Sequence, residues 1–174
     1  MGKNRGFTLI ELVVTIAVLA IIAMFAAPSF GNMMNKQKLD GAVRELALSI
    51  NQAKSQAALM KKSVGLCLNR TQTDDDFNKD ECAQATIPEY TATSGSPPAP
   101  VLSSLQKDEI LKSRIISVQI DPAITIESSS AVAILFNDIG SAPTSQSFNF
   151  CVASQLKNVE VTRLGNINKT SGLC

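Results

Sequence analysis

The chain has 174 residues, 45% of them hydrophobic, with a formal net charge of +1. That is enough for one membrane segment plus one compact domain, and too neutral a balance to single out nucleic acid as a partner. There is no histidine and no tryptophan, which excludes Ser-His-Asp and Cys-His sites and leaves zinc to rest mainly on four widely spaced cysteines; neither an enzyme nor a cofactor or metal is expected.

The first element is an apolar run from Phe7 to Ala27. As a helix it spans about 32 Å, matching a hydrocarbon core of about 30 Å. Lys3 and Arg5 precede it, whereas the first cations after it are Lys36 and Lys38, a bias that places the N-terminus in the cytoplasm and the rest of the chain outside. A cleaved signal peptide is the rival, with Ala27-Pro28-Ser29 as its small-residue site and a mature start near Phe30, but its core would carry no carboxylate such as Glu11. Pro28 ends the run and cannot donate to the carbonyl of Met24, which predicts a kink or a loosened turn.

Beyond Pro28 the helical pattern resumes. Leu39, Val43, Leu46, Ile50, Ala53, Ala57 and Met60 alternate spacings of four and three, the stripe that one helix face buries, while Lys36, Lys38, Asp40, Arg44, Glu45 and Lys54 fall elsewhere and can be solvated. After Lys62 the period turns to short β-rich runs at 63–69, 115–120, 124–128, 131–136, 147–154 and 158–163. A helix followed by four to six antiparallel strands is an α+β domain.

The stretch from Thr91 to Ser104, TATSGSPPAPVLSS, reads as an exposed loop. Before it, Asp74, Asp76 and Asn78 alternate as in a calcium loop, but Lys79 stands where glycine is needed and Ala85 where a bidentate glutamate should close the site; a solvated acidic loop is the preferred reading. Cys67, Cys82, Cys151 and Cys174 are even in number, lie beyond the apolar run and contain no CxxC. In an oxidising compartment they form two disulfides in one of three connectivities. Cys67 with Cys82 and Cys151 with Cys174 close the short loops; free buried thiols are the alternative.

Gly6-Phe7-Thr8-Leu9-Ile10-Glu11 resembles the class III leader of type IV pilins and type II secretion pseudopilins. The resemblance implies a type IV pilin-like fold and cleavage after Gly6 by a prepilin peptidase, which methylates the new N-terminal Phe7. Glu11 then lies four residues from a positive amine, on the same helix face. An intramembrane carboxylate implies a cation at comparable depth; in this family it is the amine of a neighbouring subunit, although the chain's own Phe7 amine is a second candidate.

The parts implied are a cleaved leader (1–6), a transmembrane and filament-core helix (7–28), an amphipathic helix (29–62) and a periplasmic β-rich head (63–174). The partners implied are other major and minor pilins or pseudopilins, the prepilin peptidase, an inner-membrane assembly platform and the inner membrane itself. The segment from Ile134 through Gly140, Phe148–Cys151 and Val159–Arg163 to Gly165 and Cys174 is similar to the last strands of the minor pilins FimT and FimU and the pseudopilin GspH.

DNA-binding members of the FimT type carry a Gly-Arg-x-Arg-like segment. Here Gly165-Asn166-Ile167-Asn168 holds asparagine at both arginine positions, and only Arg163 and Lys169 flank it, which offers little phosphate neutralisation. The expected function is therefore a minor pilin that primes or joins assembly of a type IV pilus. A type II secretion pseudopilin and a DNA-binding minor pilin are the alternatives.

Overall fold

The computed structural model describes residues 7–91 and 102–174. The leader 1–6, with Gly6, and most of the Thr91–Ser104 stretch lie outside the described residues. The chain forms an N-terminal unit ending at Gln37 and a head from Lys38 to Cys174.

One helix, α1 (Leu9–Met60, 52 residues), belongs to both units. Thr8 starts it: its hydroxyl accepts the Glu11 N–H at 3.3 Å and its carbonyl the Leu12 N–H at 3.2 Å, satisfying donors that a helix start leaves orphaned. The backbone is helical through Pro28, where a bend was expected; the side chains of 25–29 lie outside the described set.

Within the head, six of the seven stripe residues are buried, and Ala42 and Ala47 join them. Met60 is the exception at 36% exposed, because the helix is ending. Lys61 turns the chain with a positive φ of 51°, the conformation that commonly closes a helix, here without glycine.

The strands form two sheets. In the first, β1 (Val64–Leu68) lies between β2 (Ile115–Val118) and β4 (Ala133–Phe136). In the second, the order is β3 (Thr125–Ile126), β5 (Gln146–Val152), β6 (Gln155–Val161), β7 (Ile167–Leu173), all antiparallel. Val64, Leu66, Leu68, Phe136, Phe148, Phe150, Val159 and Val161 share one core with the α1 stripe. On the other side, Cys67 packs with Cys82, Ala83, Ile87, Tyr90, Ile110 and Ile115 in a second cluster. This is why β1 is buried at every position and does not alternate.

The α+β expectation holds, with corrections. β1 pairs β2 in parallel, since the chain between them is long enough for the crossover a parallel pair requires. That crossover contains two unexpected helices, α2 (Lys79–Thr86) and α3 (Ser104–Ser113), with a 3-10 turn at Pro88–Tyr90. Gly65 lets α2 close on β1: a Cβ there would lie 2.2 Å from the Thr86 hydroxyl. The run expected at 124–128 is a two-residue strand, and that at 147–154 stops at Val152, because Ala153 and Ser154 take positive φ values of 48° and 66°, forming a two-residue hairpin turn. β7 is a seventh strand.

Candidate assembly site and head surfaces

Every described large apolar side chain from Phe7 to Met24 is exposed, Phe7 by 75%, Leu9 by 81% and Met24 by 76%. There are twelve such side chains. Leaving them in water rather than burying them forgoes on the order of 20 to 35 kcal/mol, at about 1.5 to 3 kcal/mol each, so this helix face calls for a covering of hydrocarbon or other helices. Among the described residues no helix is long and apolar enough to cross a membrane; beyond 25–29, whose side chains are outside the described set, Phe30, Met33 and Met34 are exposed as well. Glu11 interrupts this surface one turn from Phe7, and it too is exposed.

The head is stapled twice. Cys67–Cys82 joins β1 to α2 with Cα atoms 5.9 Å apart, and Cys151–Cys174 joins β5 to the residue after β7 at 6.1 Å. Glu127 lies close enough to Cys151 and Cys174 to complete a three-ligand cluster, but the two sulfurs are bonded to each other and offer no thiolate.

The acidic segment forms a turn and a helix start. Asp74 accepts the Asp76 N–H at 3.0 Å, and Asp75 pairs with Arg70. Asn78 caps α2, accepting from Asp80 and Glu81, and Glu81 accepts the Asn78 N–H in return at 2.8 Å. The oxygens that a calcium loop would use at Asp74 and Asn78 thus meet backbone donors. Asp80 accepts the Tyr90 hydroxyl, which with Gln84 and Lys107 lowers its pKa; burial, then the Asp80 carboxylate, pushes the Tyr90 phenol up to about 12.

Arg163 and Lys169, the DNA-contact candidates, are both exposed. Arg163 sits in the β6–β7 turn, where its carbonyl accepts the Ala142 N–H at 2.9 Å; Lys169 lies on β7 opposite Val159. Two positive-φ glycines meet one residue, Lys54. Gly165 (φ 72°) accepts the Lys54 ammonium on its carbonyl at 2.8 Å, and a Cβ there would lie 2.6 Å from Lys54 Cε. Gly140 (φ 75°) faces the Lys54 carbonyl, 3.1 Å from where its Cβ would stand. Lys54, expected to be solvated, is instead half-buried between two turns. Lys38 and Asp40 also face the head, paired with Asp121 at 3.3 Å and Lys157 at 3.1 Å. Asp121 has its pKa lowered first by the Ala123 N–H it accepts and then by Lys38.

A cleft of about 520 Å³ opens beside the end of α1 and α3, lined by side chains of both signs including Lys61, Lys62, Glu89, Glu109, Arg114 and Asp138. Arg114 is buried, with Nε donating to the Ser63 carbonyl at 2.7 Å and Nη1 to Glu89 at 2.6 Å. No spacing pattern marked this pair in the sequence. The helices beside it did carry a signal: Asn78-x-x-Glu81 and Ser103-x-x-Gln106 are capping boxes of the kind that precede helices.

An exposed apolar helix interrupted by a carboxylate one turn from Phe7, running into a disulfide-bonded α+β head, defines a subunit of the minor pilin and pseudopilin class. Residues 1–27 match the prokaryotic N-terminal methylation motif, and residues 42–165 match the family described as Type II transport protein GspH. The chain belongs to that GspH family. Among curated proteins, it is similar to Fimbrial protein Q of Moraxella bovis, 40% identical over 47 residues, which is 27% of this chain and 30% of that protein's length. Among solved structures, it is similar to the type IV minor pilin FimU of Pseudomonas aeruginosa at 17% identity and a TM-score of 0.44, covering 79% of this chain and 92% of that one.

Proposed function

We propose that the protein is a minor pilin that primes or joins assembly of a type IV pilus through α1. The observation that carries this reading is the exposed apolar face of α1 with Glu11 four residues from Phe7. Cleavage after Gly6 makes Phe7 the N-terminus, where it is methylated. The 7–28 segment anchors the subunit in the inner membrane as a single pass with the head in the periplasm, then moves into the filament core, with Pro28 as the point of bending. Glu11 pairs with the amine of a neighbouring subunit, setting the axial register as the new subunit docks. Other pilins, the prepilin peptidase and the assembly platform are its partners, and no catalytic step is assigned to it.

Mass spectrometry of the mature N-terminus tests the first step: a methylated Phe7 is expected, and a start near Phe30 refutes it. Glu11→Gln tests the second. Breaking a buried pair costs about 3 to 5 kcal/mol, so incorporation into filaments should fall by about two to three and a half orders of magnitude while cleavage and methylation persist. Normal incorporation would end the pairing argument.

The family description favours a second reading, a pseudopilin of type II secretion. Deletion would then stop exoprotein secretion and leave piliation intact. A DNA-binding role rests on Arg163 and Lys169 alone; two phosphate contacts give a log–log salt slope of about −1.8, and no gel shift at low salt would end it.

A further inference from the structure

β7 contributes almost nothing to the core, yet it is held at both ends. Six of its seven residues are exposed and only Ile167 is half-buried. Its start follows the Gly165 turn, which is bonded to Lys54, and Cys174 just after its end is tied to β5. Among the described residues it is an edge strand, paired only with β6, in an unbroken seven-pair register.

The direction of its free backbone groups follows from that register. Thr162 donates to Asn166, and Cys174 to Ser154, both continuing the pairing in which residue numbers sum to 328. Bonded and non-bonded pairs alternate along an antiparallel ladder, so Asn168, Thr170 and Gly172 bond β6. Ile167, Lys169, Ser171 and Leu173 therefore point their N–H and C=O groups out of the sheet. Natural edges are commonly blunted by proline, bulges or charged side chains, lysine above all; β7 has no proline and no bulge, and Lys169 is its single charge.

We propose that β7 is a docking edge that accepts an extended strand from a neighbouring subunit of the filament, a partner segment with apolar residues opposite Ile167 and Leu173 and a carboxylate opposite Lys169. Side chains of paired residues share a face, so Ile167, Lys169 and Leu173 read the partner together, and among the described residues Lys169 makes no ion pair. The identity of the donor as a filament subunit rests on the proposed function; the edge itself does not.

The test uses the full chain in detergent micelles and amide hydrogen exchange. The probe is a seven-residue peptide, valine-threonine-threonine-threonine-glutamate-threonine-valine, at millimolar concentration. In the free chain the amides of 168, 170 and 172 should be protected, and those of 167, 169, 171 and 173 should exchange freely. Adding the peptide should slow the second set at least about tenfold. The same peptide N-methylated on its pairing edge should do nothing, and Ser171→Pro, which removes an outward N–H and spares the β6 ladder, should abolish the effect. Lys169→Glu should shift preference to the peptide carrying lysine in place of glutamate. Protection of the outward set before any addition, no slowing by the unmodified peptide, equal slowing by the N-methylated one, or slowing by duplex DNA alone would each overturn the proposal. A mature N-terminus other than Phe7 would remove the filament reading and leave this exchange pattern unchanged.

Discussion

Replacing Gly165 with alanine should destabilise the head through two separable effects. At φ 72° an L-residue loses about 1 to 2 kcal/mol relative to its ordinary conformations. The new methyl would also stand 2.6 to 2.8 Å from Lys54 Cε, Cδ and Nζ, so the lysine must swing away from the Gly165 carbonyl it bonds at 2.8 Å. A charged donor lost from a buried acceptor costs about 1.5 to 3 kcal/mol, and partial solvation of Lys54 keeps this near the lower value. The sum is about 2 to 4 kcal/mol. For a head of about 140 residues the unfolding entropy is about 290 cal/mol/K, so Tm should fall by about 7 to 14 °C. Circular dichroism melts under oxidising conditions would show it. In a Lys54→Ala background the clash and the bond are both absent, and the same substitution should then lower Tm by only about 3 to 7 °C. A shift under about 3 °C in the parent chain, or strictly additive effects in the double variant, would refute the account of Lys54 as the post on which the β6–β7 turn is hung.

Tyr90 is the chain's only tyrosine, so its ionisation can be followed without ambiguity by tyrosinate absorbance; the midpoint should lie near 12, and Asp80→Asn should lower it only part of the way to the free phenol's value, because burial, the larger cause, remains. Because the folded value is raised, the neutral phenol's contribution is present below about pH 10 and lost as pH rises through about 12. Asp80 has the opposite sign, its contribution being present above the ordinary aspartate value of 3.8 and lost as pH falls through its lowered pKa. Glu89→Gln should destabilise the head more than Arg114→Met in chemical denaturation. The first leaves a guanidinium only 7% exposed without its counter-charge, whereas the second frees a carboxylate that is 49% exposed and can be solvated. Replacing both Cys151 and Cys174 by serine should remove about 3 kcal/mol of chain-entropy stabilisation, with exchange rising first in β7, while the Cys67 and Cys82 pair should affect α2.

The α1 stripe was legible because it repeats over six turns and buries a single face; the 63–69 run was legible as a strand, but its burial on both sides was not, since the second covering cluster comes from α2 and α3. α2 and α3 escaped notice because they are eight and ten residues long and their interiors are mostly polar, leaving only the capping boxes as a signal. β7, INKTSGL, has no alternation to read because neither of its faces is buried. The parallel β1–β2 pairing depends on the excursion between them, and no residue in either strand encodes its direction. Lys54 shows the limit of binary patterning: its position lies off the buried stripe, and its burial comes from two turns more than eighty residues away in sequence.

The placement of the stripe also fixes an order of events. As the chain is made from its N-terminus, Leu39 to Ala57 emerge before the residues that will cover them, and the last large ones, Phe148 and Phe150, follow about ninety residues later. At synthesis rates of about 5 to 20 residues per second, the helix face stands uncovered for roughly 5 to 20 seconds. Its β1 neighbour must likewise wait for β4 before it has an antiparallel partner. During that interval the future core of the head stands as an uncovered apolar surface, and only the arrival of the β4–β6 strands turns it into an interior.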